Sequence, residues 1–229
     1  MKPNDVLYFL GDVIRTIADP FQKECAIAVL RGNLVPRGAI LKTSAASWHL
    51  MQHEGIAVVF EDYTDMLARI DDPELDVAAN SVLILKNCGP KGVPGMPEWG
   101  AIPIPRKLQM VGVRDMVRIS DSRMSGTSYG TVILHACPEA AAAGPLSVVR
   151  SGDVVRLDVE QRRLDLVISE EELAARLTLH SPPSSPHLRG YPRLYVDHVL
   201  QCDEGCDFDF LRPKSKEELA FVPPIVGRS

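Results

Sequence analysis

The chain of 229 residues, 45% hydrophobic and 24% charged, has the composition of a soluble globular protein and length enough for one sizeable core, or one plus an appendage. A net charge of −5 with no long cationic block gives no general attraction to nucleic acid. The first ten residues lack the apolar segment of a secretory signal, no window approaches membrane-spanning length, and five irregularly spaced cysteines argue against a disulfide framework, so the expectation is a cytoplasmic chain without a membrane partner.

Residues 1–19 read as a lead-in, and residues 25–30 form an apolar stretch stopped by the turn-prone triplet Arg31-Gly32-Asn33. Residues 39–41 and 57–60 have the content of short strands, and between them Trp48, Leu50 and Met51 fall at helix-compatible spacing. Residues 64–70 predict a helix that Asp71-Asp72-Pro73 ends. The nearly all-apolar run 81–85 predicts a strand covered on both faces, and 116–120 and 131–134 predict two more. Residues 138–143 read as a short helix with Gly144 past its end, and 154–159 and 164–168 alternate as a hairpin around 160–163. Ser169-Glu170-Glu171-Glu172 is a capping box opening a helix through Leu177. The reading is a domain over 12–177, a Pro/Ser-rich extended linker over 178–190 and a C-terminal arm over 191–229, ordered through Leu211, with no internal repeat.

Two loops stand out behind strand-like runs. Residues 119–130, Ile-Ser-Asp-Ser-Arg-Met-Ser-Gly-Thr-Ser-Tyr-Gly, present hydroxyls among glycines, and residues 87–98, Asn-Cys-Gly-Pro-Lys-Gly-Val-Pro-Gly-Met-Pro-Glu, fix an irregular backbone ending in a carboxylate. Ser125 is the candidate reactive group, because Gly126 lets backbone approach a ligand and Thr127 adds a second hydroxyl; a turn with hydrogen-bonded hydroxyls is the alternative. Glu98 offers hard oxygen to magnesium, or is a solvated surface glutamate. Arg123 suits a carboxylate or a surface ion pair, Lys91 a substrate contact or solvent, and Tyr129 packing. Cys202 and Cys206 form a Cys-x3-Cys pair without the second pair a structural zinc needs, while Cys25, Cys88 and Cys137 read as small buried residues. His49, His53, His135, His180 and His187 have no spacing that specifies a triad, and Gly-x-Ser-x-Gly is missing, which disfavours a serine hydrolase.

Both loops, in this order, resemble the dihydroxy-acid and sugar-acid dehydratase family. So do Ala28-Val29-Leu30-Arg31-Gly32-Asn33-Leu34 and Gly38-Ala39-Ile40-Leu41-Lys42. Leu85-Lys86-Asn87-Cys88-Gly89-Pro90-Lys91-Gly92, residues 195–201 and Gly205-Cys206-Asp207-Phe208-Asp209-Phe210-Leu211 look like the sugar-acid (arabinonate and xylonate) branch. The resemblance spans residues 12–211 and the family's C-terminal part. It implies an α/β swivelling β/β/α barrel-like domain, a mixed sheet with flanking helices and a C-terminal arm. It also implies dehydration of an aldonate to a 2-keto-3-deoxy acid, with Ser125 as base at C2, Glu98, from Gly95-Met96-Pro97-Glu98, as one Mg2+ ligand, and an iron-sulfur cluster drawing off the 3-hydroxyl. Thr127, Arg123 and Lys91 are the matching candidates for substrate contacts.

The sequence departs from that pattern in three places. The family's cluster cysteines and other magnesium ligands belong to an N-terminal domain that would precede Asp12. The end of the chain lacks the histidine common in sugar-acid members, and Glu24-Cys25-Ala26 replaces a glycine-rich stretch. Two expectations follow: the substrate-facing part of a hydro-lyase completed by an N-terminal dehydratase half, or a non-catalytic relict that docks on full-length homologues; homo-oligomers are compatible with either.

Overall fold

In the computed structural model, which describes residues 15–20, 26–181 and 189–213, the strands place apolar side chains alternately on two faces. Along β3 (Gln52–Phe60) and β4 (Val82–Leu85), Ala57, Val59, Val82 and Ile84 enter one core cluster, while Val58, Phe60, Leu83 and Leu85 enter a second. That two-sided burial is why residues 82–85 read as an unbroken apolar run.

The other strands are β1 (Ala28–Leu30), β2 (Gly38–Leu41), β5 (Arg118–Ser120), β6 (Val132–Cys137), β7 (Val154–Asp158) and β8 (Arg163–Leu166). They form one eight-stranded mixed sheet in the order β1-β2-β6-β5-β4-β3-β7-β8. The central β3, β4, β5 and β6 run parallel, and the flanking pairs are antiparallel. The sheet nearly closes on itself. Arg31 N donates to Arg162 O at 2.8 Å and Leu164 N to Arg31 O at 3.0 Å, joining the end of β1 to β8. Asn33 secures the seam, its Nδ2 donating to Leu166 O at 2.8 Å and its Oδ1 accepting from Leu166 N at 2.7 Å. The triplet expected only to turn the chain therefore closes the barrel. All eight strands contribute to the first core cluster, from Ala28 and Leu30 to Leu164 and Leu166, which fills the inside. Met66 of α1 (Tyr63–Arg69) and Ile70 at its end, together with Ile102 and Met116, pack in the second cluster with Val58 and Phe60 of β3, Leu83 and Leu85 of β4, and Val132 and Leu134 of β6.

α2 (Arg106–Met110) lies in a stretch with no helix expected from sequence. Two other expectations are corrected. Trp48–Leu50 makes a single 3-10 turn because Gln52 already pairs with Asp158 in β7. Residues 138–143 do not form an α-helix, only a 3-10 turn over Ala140–Ala142. The amides of Glu139 and Ala140 are claimed by the side chains of Gln201 and Asp121, and Ala143, not Gly144, takes the left-handed end position. The Ser169 cap forms, its Oγ accepting from Glu172 N at 3.1 Å, while Glu172 Oε1 accepts from Arg176 Nη2 at 2.6 Å instead of closing the box, and α3 (Glu170–Leu179) runs two residues further than expected. α4 (Gly190–His198) begins the C-terminal arm, while residues 182–188 of the linker and 214–229 of the arm lie outside the described residues. Among the described residues no helix is long and apolar enough to cross a membrane.

Candidate functional site

Strands β4 and β5 are parallel neighbours, so the loops that leave their C-terminal ends emerge side by side. These are the two unusual loops, and open parallel sheets bind ligands at that end of their strands. A short backbone bridge pairs Glu98 with Arg123 and brings the loops into register. Arg123 Nε donates to Met96 O at 2.6 Å, and Gly126 N to Gly100 O at 2.6 Å. A Cβ on Gly126 would lie 2.5 Å from Gly100 O, so only glycine permits this approach.

The contact joins the two principal candidates. Glu98 Oε1 accepts from the amide of Ser125 and, at 2.6 Å, from that of Gly100. The Ser125 and Gly100 amides, then the Ser125 hydroxyl, hold the Glu98 carboxyl below its usual range. Glu98, Arg123, Ser125 and Thr127 line one cavity of about 370 Å³, whose other walls include Lys42, Leu134 and His135. Lys91 does not line it: its amide is bound by Glu139 at 2.9 Å, well down the same loop. Tyr129, expected to pack, is 59% exposed.

Two buried carboxylates underlie the loops, and sequence reading singled out neither. Asp121 accepts from Cys88 N and Ala140 N, both at 2.9 Å. Glu139 accepts from the amides of Lys91 and Gly92, and Gln201 Nε2 donates to it at 2.5 Å. Burial, then the nearby Glu139, pushes the Asp121 carboxyl up to about 7, and burial pushes Glu139 up as well. A third, Asp115, anchors the far end of the serine loop, accepting from Thr131 N at 2.9 Å and Arg118 Nη2 at 3.0 Å. Only the position of Asp121 immediately after a buried strand hinted at such a role.

Cofactor fit differs between the two groups implied by the resemblance. Glu98 is exposed, ionised and fixed by amides, which suits one hard-oxygen ligand for Mg2+; among the described residues no three His, Cys, Asp or Glu side chains group to complete a metal site. The described cysteines do not fit an iron-sulfur cluster. Cys88 and Cys137 are separately buried, burial drives both thiols up, Cys137 to about 12, and Cys202 Sγ and Cys206 Sγ, 3.5 Å apart, contact each other in the arm.

The fold and site define a class, a barrel-like α/β domain that presents a serine, a carboxylate and a guanidinium on two interlocked loops. The family model for the C-terminal part of dihydroxy-acid/6-phosphogluconate dehydratases matches residues 12–206, and the chain belongs to that family. It is 56% identical over 208 residues to a putative dehydratase of Rhizobium meliloti (strain 1021), covering 91% of this chain and 36% of the relative. It is 55% identical over 206 residues to an L-arabonate dehydratase of Azospirillum brasilense (87% and 35%). It is 51% identical over 217 residues to a 6-deoxy-6-sulfo-D-gluconate dehydratase of Pseudomonas putida (93% and 37%). The chain thus spans little more than a third of the length of these relatives.

Proposed function

We propose that this chain is the substrate-facing C-terminal part of a sugar-acid hydro-lyase that converts an aldonate to a 2-keto-3-deoxy acid. The observation that carries the reading is the meeting of Ser125 and Glu98 in one open cavity beside Arg123. In this reading Ser125 Oγ removes the C2 proton, and Arg123 and Thr127 bind the carboxylate and hydroxyls of the acid. Glu98 would hold Mg2+, which when bound supplies positive charge for the substrate's carboxylate and 2-hydroxyl oxygens. Lys91 stands one step back, as a residue whose loop must be held in place. Assistance to the departing 3-hydroxyl is to be sought in the N-terminal portion that the relatives possess and this chain does not match. Relatives named for arabonate and sulfogluconate support a polyhydroxylated substrate over an aliphatic one.

The test is assembly of this chain with an N-terminal dehydratase portion, followed by turnover of pentonates, hexonates and 2,3-dihydroxyisovalerate. Dehydration of the sugar acids, dependent on Ser125, is expected. A preference for the aliphatic acid would overturn the substrate class, and tight association without turnover would make the chain a docking module.

A further inference from the structure

Strand β6 carries an irregularity at His135. The pairing with β2 matches Gly38 to Cys137 but Ile40 to Leu134, so β6 holds one residue more than its partner there. Such a β-bulge bends a strand and re-aims a side chain. His135 has φ +57, a left-handed backbone inside a strand, and its amide donates to Ser122 O at 3.2 Å, in the serine loop. Its neighbours Leu134 and Ala136 are buried, while His135 is half-buried and joins Leu134 in the wall of the cavity shared by Ser125, Thr127, Arg123 and Glu98.

Asparagine or glycine takes a left-handed backbone at lower cost than an imidazole-bearing residue, and strained positions of this kind concentrate at ligand sites. The ring's Nδ1 is buried with no hydrogen-bond partner among the described residues, although buried polar atoms are nearly always paired. Burial and then the Arg123 charge push the imidazole pKa down, so at neutral pH the ring offers one donor and one acceptor nitrogen.

We propose that His135 is a substrate-contacting residue of this site, its Nδ1 sharing a hydrogen bond with a hydroxyl of the bound polyhydroxy acid. The inference rests on the sugar-acid reading for the identity of the ligand, while the bulge, the cavity and the unpaired nitrogen stand without it. A ligand lacking the matching hydroxyl leaves Nδ1 unpaired and is rejected on that account.

Two substitutions decide it. His135→Asn puts an amide atom near the place of Nδ1 and suits the left-handed backbone; His135→Gln carries the same group one bond too far. In the assembled enzyme, His135→Gln should lower kcat/KM on a pentonate by about tenfold or more, and His135→Asn should stay within about threefold of the parent. Melting temperatures of both variants verify folding. Equal kcat/KM for the two variants, or a glutamine variant matching the parent, overturns the proposal. If the assembled parent is inactive, the sugar-acid reading fails first, and 15N NMR of this chain with added pentonate judges His135 separately. A shift of its Nδ1 resonance with pentonate, absent with the aliphatic dihydroxy acid, supports the contact; no shift with pentonate overturns it.

Discussion

Asp121 and Glu139, beneath the two loops, are 0% exposed, whereas Glu98 and Ser125 at their rim face solvent. The floor ties backbone amides of both loops and of the 140 turn to buried carboxylates, and Gln201 brings the C-terminal arm into the same network. The rim has a looser construction, a short backbone bridge and the amides that hold Glu98. Buried charge costs free energy unless it is fully hydrogen-bonded, so the floor fixes one loop geometry and tolerates little change. Exposed groups leave their chemistry free for a ligand. On the proposed reading the difference separates residues that shape the site from those that would act in it, and substitutions can probe each side.

The largest effect is expected at the rim. In the assembled enzyme Ser125→Ala should reduce turnover by roughly 10² to 10⁴, the contribution of a positioned base, with no change in the melting temperature of this chain. Near-normal turnover would return Ser125 to the role of a turn residue.

Next comes the anchor of the serine loop. Gly130 has φ +103, and an added Cβ would lie 1.9 Å from Arg118 Nη2 and 2.8 Å from Asp115 Oδ1. Gly130→Ala should therefore disrupt the buried Arg118 and Asp115 pair and cost about 3 kcal/mol, read from urea denaturation. Gly152→Ala is the control, because Gly152 has φ +96 with nothing within 4 Å and should lose only about 1 kcal/mol to backbone strain. Equal losses at the two positions would remove Arg118 and Asp115 from the account of how the loop is held.

The same division governs what the sequence discloses. Local signals carried most of the fold: the apolar run ending at Leu85, the alternation of β7 and β8, and the cap at Ser169 each depend on neighbours a few residues away. The rim was legible too, because Glu98, Arg123, Ser125 and Thr127 sit in loops whose glycines and hydroxyls are unusual, and the structure brings all four to one cavity. The floor was not. Glu139 is a charged residue in a segment patterned like a helix, and what buries it is Gln201, 62 residues away. His135 was hidden for another reason: alternation assigns a side chain to a face, and a bulge reverses that assignment without altering composition.

Proton linkage sharpens the comparison further. Asp121 in the folded chain holds its proton to about 7, above the ordinary value of 3.8. A raised acid stabilises the fold below the unfolded value, and that stability is lost as pH rises from about 4 towards 7. Depressed carboxyls such as Asp115 act in the opposite sense and at lower pH: their stabilisation is present above about 4 and lost as pH falls. Asp121→Asn should therefore flatten the decline of stability between pH 4 and 7 while leaving acid unfolding below pH 4 in place. An unchanged slope would show that Asp121 is ionised throughout that range.

The smallest effect on the fold is expected at Glu98, and the substitution to use is Glu98→Gln rather than Glu98→Ala. Glutamine keeps a side-chain oxygen where Oε1 accepts from the Ser125 and Gly100 amides, so the bridge between the loops survives. What it removes is the negative charge, which a neutral amide oxygen replaces poorly as a ligand for a hard divalent cation. The melting temperature of this chain should be unchanged, while the assembled enzyme should need about tenfold more Mg2+ for half-maximal turnover. Glu98→Ala, by contrast, deletes the acceptor and should also loosen the serine loop, seen as faster amide exchange at Ser125. If Gln and Ala behave alike in amide exchange, the carboxylate oxygen does not hold the loops together; if Gln leaves the Mg2+ requirement untouched, Glu98 belongs with the residues that shape the site and not with those that act in it.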